Sequence, residues 1–254
     1  ADVWIGRRHG LREARVVEVL GDMDDRRAIS LIAIHSNDIP DVFPAEAVAQ
    51  AEAAQPVVMS AASKREDLRH LPLITVDGAD ARDFDDAIWA APDDDPKNKG
   101  GWQIIVAIAD VSHYVTFNSA LDREARRRGN SVYFPDRVVP MLPEALSNNL
   151  CSLRPDEDRP VLAVTMRLDA KGRRLEHKFH RAMIRSAARV IYEDLQAAHD
   201  GEPNEQTGPI LDTVIEPLYG AWGALMRARE SRQPLDLDLP EMKISVGEDG
   251  HVED

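Results

Sequence analysis

An acidic stretch directly after an apolar segment is the feature that most constrains how this chain can fold. Five aspartates lie within residues 77–86, and the apolar residues 71–76 before them are typical of a strand. Carboxylates held this close in a folded site repel one another and raise each other's pKa values, whereas a divalent cation removes that penalty. The folded chain must therefore either give these aspartates a cation or leave them in solvent.

A solvated acidic loop and a metal site are both open on composition alone, since charge runs are often just solvated. A calcium loop of the EF-hand type is rejected, because counting from Asp83 places Ile88 at the sixth position, where the sharp turn requires glycine. Ligands that offer only oxygen suit magnesium or manganese better than zinc. In a continuous strand Asp86 would point away from Asp83 and Asp85, so the chain must turn for all of them to converge, and Gly78 allows a turn.

Magnesium held by several carboxylates is well suited to phosphoryl transfer. One metal prepares a hydroxide nucleophile, and a second stabilises the leaving oxygen of an in-line displacement. The residues therefore predict a nuclease, but their spacing does not separate a nuclease from a phosphatase or a polymerase.

The order of the predicted elements indicates a mixed α and β (α+β) fold, because strands and helices are mixed along the chain without a strict βαβ alternation. Residues 103–109 form an apolar run that predicts a strand buried on both faces at the centre of a sheet. The remaining predicted strands are 12–20, 28–35 and 71–76, together with a hairpin of 161–167 and 175–184. The predicted helices are 44–62, 119–129, 186–199 and 210–232.

Local signals mark several boundaries and one inert residue. Ser119 predicts the cap of a helix that Gly129 ends, and Gly172 predicts the turn of the hairpin. Residues 93–100 look like a tolerated surface excursion between two strands. Cys151, the only cysteine, lies in an apolar run and is predicted to be a buried, unreactive thiol.

The net charge of −14 argues against a protein that simply coats nucleic acid, because phosphate binding is driven largely by Lys and Arg. An acidic protein needs local basic patches to hold RNA, and a solvated helix face is the alternative reading of each patch. The candidate patches are residues 7–9, the group Arg123, Arg126, Arg127 and Arg128, and the series Arg181, Arg185 and Arg189.

No apolar run approaches the roughly 20 residues of a membrane-spanning helix, and the N-terminus lacks the pattern of a signal peptide. We therefore expect no membrane and a cytoplasmic location. The first residue is not methionine and Asp254 closes an incipient turn, so we also expect the chain to be a piece of something longer.

Four ordered motifs resemble one enzyme family. Residues 67–87 around the acidic cluster, 106–115, 127–135 and 141–153 together resemble the catalytic domain of the ribonuclease II and ribonuclease R family, also called the RNB domain. Within that family the ribonuclease R branch is most similar. The resemblance implies an N-terminal part of the catalytic domain at 66–254, a connector at 46–65, and the end of an OB-type cold-shock β-barrel at 1–45.

The resemblance also implies a function. It predicts processive 3′-to-5′ hydrolysis of single-stranded RNA by a monomeric parent protein, with release of nucleoside 5′-monophosphates and with Mg²⁺, or alternatively Mn²⁺, as cofactor. The family's later helices, with an arginine for the scissile phosphate, and a C-terminal RNA-binding domain would follow Asp254. Activity of this piece alone is therefore an open question.

The resemblance assigns roles to individual residues as well. It places the metal-binding and catalytic acids at Asp77, Asp83, Asp85 and Asp86, with Asp85 most closely tied to catalysis.

Three further residues are predicted to contact RNA. Tyr133 would stack on a base near the 3′ end, and Tyr192 and Glu241 would contact the terminal nucleotides. A half-buried strand tyrosine is the alternative for Tyr133, and a helix core residue is the alternative for Tyr192.

Asp110 and His113 in the second motif are predicted to be a structural pair at a sheet end rather than a general base. Two other functions stay open: a noncatalytic RNA-binding relative, and a magnesium-dependent phosphatase for small molecules.

Overall fold

The computed structural model describes residues 2–8, 11–19, 28–60, 63–79, 81–235 and 247. The strands are β1 (Asp2–Arg8), β2 (Leu11–Glu18), β3 (Glu66–Asp67), β4 (Ile74–Asp77), β5 (Asp86–Pro92), β6 (Trp102–Ala109), β7 (Val132–Tyr133), β8 (Val138–Val139), β9 (Asp158–Leu168), β10 (Arg174–Arg185) and β11 (Ala188–Ile191). The α-helices are α1 (Ala28–Ser36), α2 (Ala45–Glu52), α3 (Val111–Tyr114), α4 (Ala120–Arg128), α5 (Tyr192–His199) and α6 (Glu216–Glu230). Both element types are present, so the prediction of a mixed α and β fold is confirmed.

The chain forms two compact units, and the larger consists of residues 51–116 and 144–237. Its centre is a seven-stranded sheet with the order β11-β4-β5-β6-β9-β10-β3. The outer pairs β11–β4 and β10–β3 are parallel, and the inner pairs are antiparallel. The apolar strand β6 is fourth in the order, which confirms its predicted place at the centre, but the predicted burial on both faces is wrong, because Ile108 is 53% exposed.

Helical segments cover one face of this sheet. Val214, in a π-helical turn at Leu211–Ile215, is buried in one core cluster with Ile74 and Val190. Ala221 of α6 is buried in a second cluster with Ala90 and Ile104. These contacts hold the strands in place from one side.

No helix of the described ranges is long and apolar enough to cross a membrane.

The hairpin of β9 and β10 is confirmed, and Gly172 is its turn residue. Gly172 has φ +75°, a backbone conformation that side chains other than glycine rarely adopt. A Cβ atom at this position would lie 1.9 Å from the main-chain oxygen of Ala224 in α6. The turn therefore needs glycine both for its backbone angle and for the close approach of the helix.

The smaller unit consists of residues 1–50, 117–143 and 238–254. It contains the antiparallel pair β1–β2, helices α1, α2 and α4, and the short pair β7–β8. Helix α4 is as predicted: Ser119 accepts a hydrogen bond from the main-chain N–H of Asp122, and Gly129 follows the last turn with φ +82°. The cap and the stop signal thus set both helix ends.

The predicted strand at 28–35 is wrong, because these residues form helix α1. Residues 28–35 are apolar except for Ser30 and His35, so their pattern has no clear strand or helix period and could not discriminate between the two. In the structure Ile34 is buried, Ile29 and Ile32 are exposed, and the Ser30 hydroxyl donates a hydrogen bond to the Asp136 carboxylate. Contacts distant in sequence therefore select the helix.

Three helix predictions are only partly right. Residues 188–191 of the predicted helix 186–199 form strand β11, and α5 begins at Tyr192. Strand β11 pairs with β4, more than a hundred residues earlier, and no local signal shows that partner. The predicted helix at 44–62 ends at Glu52, and the predicted helix at 210–232 is present as a π-helical turn followed by α6.

We expect Gly172→Ala to lower the free energy of unfolding by about 2 kcal/mol or more, because the new Cβ adds a steric clash to the strained backbone angle. Urea denaturation followed by circular dichroism measures the change. Gly201→Ala is the matched control, since Gly201 has φ +99° but a Cβ there meets no atom within 4 Å. Equal losses for both variants would contradict the role of the helix contact.

Candidate active site

The acidic residues lie at one end of the seven-stranded sheet. Asp77 is the last residue of β4 and Asp86 is the first residue of β5. Because these neighbouring strands are antiparallel, the last residue of β4 and the first residue of β5 lie at the same end of the sheet. Asp83 and Asp85 belong to the connection between them, so the predicted turn of the chain at this point is confirmed.

The described part of this connection, residues 78–79 and 81–85, is called the acidic loop below. Its second half is fixed by main-chain hydrogen bonds: the N–H of Leu153 donates to the Phe84 oxygen at 2.8 Å, and the N–H of Ala109 donates to the Asp85 oxygen at 2.9 Å. The fully buried Ser152 hydroxyl accepts from the Phe84 N–H at 3.1 Å. Asp85 is therefore held by the end of β6 and by the segment around Ser152.

The carboxylates of the site are coupled electrostatically. Asp85 is exposed as a residue, but desolvation of its carboxyl group, together with the charges of Asp83, Asp86 and Asp77, raises its pKa to about 6. Burial and the neighbouring Asp86 likewise raise the pKa of Asp77. The structure thus places all four predicted acids within electrostatic reach of one another.

The chemical type of the donor atoms suits a hard divalent cation. All are carboxylate oxygens, and Asp77 Oδ2 is buried without a hydrogen-bond partner among the described residues. A cation would satisfy that oxygen and would reverse the repulsion that raises the pKa values. Within the described ranges no three His, Cys, Asp or Glu side chains are already arranged to hold a metal ion.

Comparison with known proteins identifies the family. The model of the RNB domain matches residues 65–254. The chain belongs to the RNB domain family. It is 43% identical over 244 residues to ribonuclease R of Escherichia coli, an alignment that covers 94% of this chain and 29% of the relative. The chain therefore spans less than a third of the length of that curated relative.

Two solved structures illustrate the shared fold. The structure of Mycoplasma genitalium RNase R in complex with double-stranded RNA matches with a TM-score of 0.88 and 29% identity, over 98% of this chain and 44% of that chain. Yeast Ssd1, described as a pseudonuclease, matches with a TM-score of 0.64 and 19% identity, over 86% of this chain and 27% of that chain. The second likeness concerns the fold alone.

The structure locates two of the three predicted RNA-contacting residues of this RNB domain. Tyr192 is the first residue of α5, and it directly follows Ile191, the register partner of Asp77. Tyr192 therefore lies at the same sheet end as the acids, and it is 60% exposed rather than part of a helix core. Tyr133, in the smaller unit, ends β7 and is 65% exposed. Glu241 lies outside the described residues.

Asp110 is structural, as predicted, but its partner is Arg65 rather than His113. The two buried side chains form a salt bridge of 2.7 Å between Arg65 Nη2 and Asp110 Oδ2. Burial acts to raise the pKa of Asp110, but hydrogen bonds from the Ser112 hydroxyl and from Arg65 outweigh it and lower the pKa. The His113 ring instead packs edge-on against Tyr114. The sequence spacing suggested a local partner, whereas the fold supplied a distant one.

The predicted basic patch on α4 is neutralised within the protein. In α4 the exposed Arg126 and Arg127 pair with Asp122 and Glu124, and Arg128 is buried over the Phe43 ring. The series Arg181, Arg185 and Arg189 lies on β10 and β11 and not on a helix. Arg7 and Arg8 end β1, and His9 lies outside the described residues.

Two residues that support the acidic loop were missed by the sequence reasoning. Ser152 and Arg189 hold the loop through its main chain, and neither belongs to a pattern that marks such a role.

Cys151, beside Ser152, is buried as predicted, and burial raises the pKa of its thiol to about 12. That thiol therefore stays protonated and unreactive at neutral pH.

We expect Asp85→Asn to stabilise the metal-free protein by about 1 kcal/mol at pH 7.5, after allowing for solvent screening of an exposed group. A pKa raised from 3.8 to about 6 in the folded state means that ionisation costs stability there. The cost is complete above pH 6, shrinks as the pH falls towards 3.8, and is absent below it.

Urea denaturation in EDTA at pH 7.5 and pH 5 measures this gain, which should be smaller at pH 5. Glu205→Gln, which removes an exposed carboxylate in the same unit, is the control for net charge. A gain no larger than that of the control would show that the acids do not strain the loop.

Proposed function

We propose that this chain carries the acidic half of the active site of a 3′-to-5′ exoribonuclease, which hydrolyses single-stranded RNA processively and releases nucleoside 5′-monophosphates. The observation that carries the proposal is the set of four coupled aspartates, Asp77, Asp83, Asp85 and Asp86, at one sheet end of an RNB domain. The RNA-bound state of a solved RNase R relative supports RNA as substrate. The chain covers only part of its relatives, so the activity is proposed for the whole protein.

The residues that would hold the cofactor are the same four aspartates, with Mg²⁺ proposed and Mn²⁺ as a substitute. When bound, such cations supply a hydroxide nucleophile and stabilise the leaving oxygen. The protein's own contribution is to place the carboxylates correctly. The hydrogen bonds at Phe84 and Asp85 do this, because they fix the main chain of the acidic loop against β6 and Ser152.

The surface beside the acids favours a polymer over a small phosphate ester. Asp86, Ile108, Leu162 and Arg181 are successive register partners across four strands, so they share one face of the sheet. Ile108 is 53% exposed and Leu162 is 50% exposed. An open apolar strip between a carboxylate and a guanidinium suits a nucleoside between two phosphates, whereas sites for small ligands are usually enclosed.

Tyr192 and Glu241 are proposed to contact the terminal nucleotides, and Tyr133 is proposed to stack on a base. The solvent exposure of Tyr133 and Tyr192 supports these roles, because a base can reach only a side chain that is accessible from solvent. We also propose the domain division 1–45, 46–65 and 66–254, with the first part as the end of an OB-type cold-shock barrel. The β1–β2 pair supports that assignment. A cytoplasmic location and a monomeric parent stay predictions.

A noncatalytic RNA-binding relative is the second candidate function. The observation that favours it is the shared fold of Ssd1, described as a pseudonuclease, which shows that the fold can exist without the activity. The presence of all four acids in this chain argues for catalysis. Incubation of the whole protein with 5′-labelled RNA and Mg²⁺ separates the two: nucleoside monophosphates released from the 3′ end support the nuclease, and bound but intact RNA supports the relative.

We expect Asp85→Asn to lower the turnover of single-stranded RNA by at least about 100-fold, since it removes a group that acts on the reacting phosphate. RNA affinity should stay within about threefold, because the change affects the transition state more than ground-state binding. Single-turnover kinetics and filter binding measure the two quantities. Glu205→Gln should leave both unchanged, and near-normal turnover in Asp85→Asn would refute the catalytic assignment.

We expect Tyr133→Ala to lengthen the limit product by one or more nucleotides, with a rate loss below about tenfold, because a base loses its stacking partner. Gel electrophoresis of the end product measures its length. Phe117→Ala removes another exposed aromatic residue of the same unit and serves as the control. An end product of unchanged length would remove Tyr133 from the proposed site.

A further inference from the structure

The first half of the acidic loop is held by one side chain. Nη2 of Arg189 donates hydrogen bonds to the main-chain oxygens of Gly78 at 3.2 Å, Ala79 at 2.9 Å and Ala81 at 3.3 Å. These carbonyl groups lie between Asp77 and Asp83. A single guanidinium thus determines how the chain leaves one acid and approaches the next.

Arg189 is itself placed by rigid surroundings. It lies in β11, where its register partner is Thr75 of β4, the strand that ends in Asp77. Its guanidinium carbon lies 4.8 Å from the centroid of the Phe84 ring, at the other end of the acidic loop. The side chain therefore connects the strand before the loop, the loop carbonyls and the buried aromatic residue after it.

The chemistry of the side chain suits this arrangement. A guanidinium is planar and presents several donors in a fixed geometry, whereas a lysine ammonium is a flexible point charge. Arg185, the last residue of β10, shows the contrast, because it pairs with the Asp158 carboxylate and donates to none of the loop carbonyls in the described structure. Arg189 instead donates its hydrogen bonds to main-chain oxygens of the acidic loop.

We propose that Arg189 is a positioning residue, which shapes the acidic loop so that Asp77 and Asp83 are spaced to hold a divalent cation. The inference rests on the proposed metal site. The direction of the change in metal affinity distinguishes this role from a simple charge effect, because the charge of Arg189 would repel a cation. Removal of that charge alone would tighten metal binding, whereas loss of the loop conformation would weaken it.

The test is Mn²⁺ binding without RNA, measured by electron paramagnetic resonance on the full chain. We expect the dissociation constant for Mn²⁺ to rise by about tenfold or more in Arg189→Gln, in the range seen when residues that orient metal ligands are removed, and by a smaller factor in Arg189→Lys. Arg185→Gln and Arg185→Lys are the matched controls and should stay within about twofold. Amide hydrogen exchange of the acidic loop should be faster in Arg189→Gln even without metal.

Unchanged or tighter Mn²⁺ binding in Arg189→Gln would overturn the proposal. If Arg189→Gln does not fold, as judged by circular dichroism, Arg189→Lys decides by the same two readouts, and wild-type values for both would overturn it. If the unaltered chain binds no Mn²⁺, the proposed metal site fails. The exchange rates of the acidic loop then still decide whether Arg189 shapes it.

Discussion

Mutual repulsion among carboxylates at one end of a sheet is the constraint on which the site depends. The pKa of Asp85 is raised to about 6 by desolvation and by Asp83, Asp86 and Asp77, so the folded protein holds these charges at a cost. A loop left to itself would relieve that cost by moving the acids apart. The surrounding structure opposes this movement, since Arg189, Ser152 and the end of β6 hold the loop through its main chain. The strain is thus kept in place where a cation would relieve it.

The sheet explains why rigid support is available at this point. Strands β4 and β5 are interior strands of the sheet, between the parallel partner β11 and the central strand β6. Their apolar side chains pack under the π-helical turn and α6, so the strand ends that carry Asp77 and Asp86 have little freedom. The buried Arg65–Asp110 pair fixes the end of β6 in the same region. Residues without a direct chemical role therefore set the geometry of those that have one.

Membership of the RNB domain family and the four acids support the same function, but neither is sufficient without the other. The fold alone is shared with a protein described as a pseudonuclease, so it does not imply catalysis. The acids alone would also suit a phosphatase. Their position at one end of the sheet, beside exposed apolar side chains and Arg181, is what favours a polymeric nucleic acid.

The sequence by itself determined the acidic cluster, the apolar central strand, the capped helix α4 and the β9–β10 turn at Gly172, because each depends on neighbours close in the chain. The tertiary structure alone decided that 28–36 is a helix and that 188–191 is a strand, since both depend on partners far along the chain. It also replaced His113 by Arg65 as the partner of Asp110, and it brought Arg189 to the acidic loop. Local chemistry thus marks which residues act, whereas long-range pairing decides which residues hold them in position.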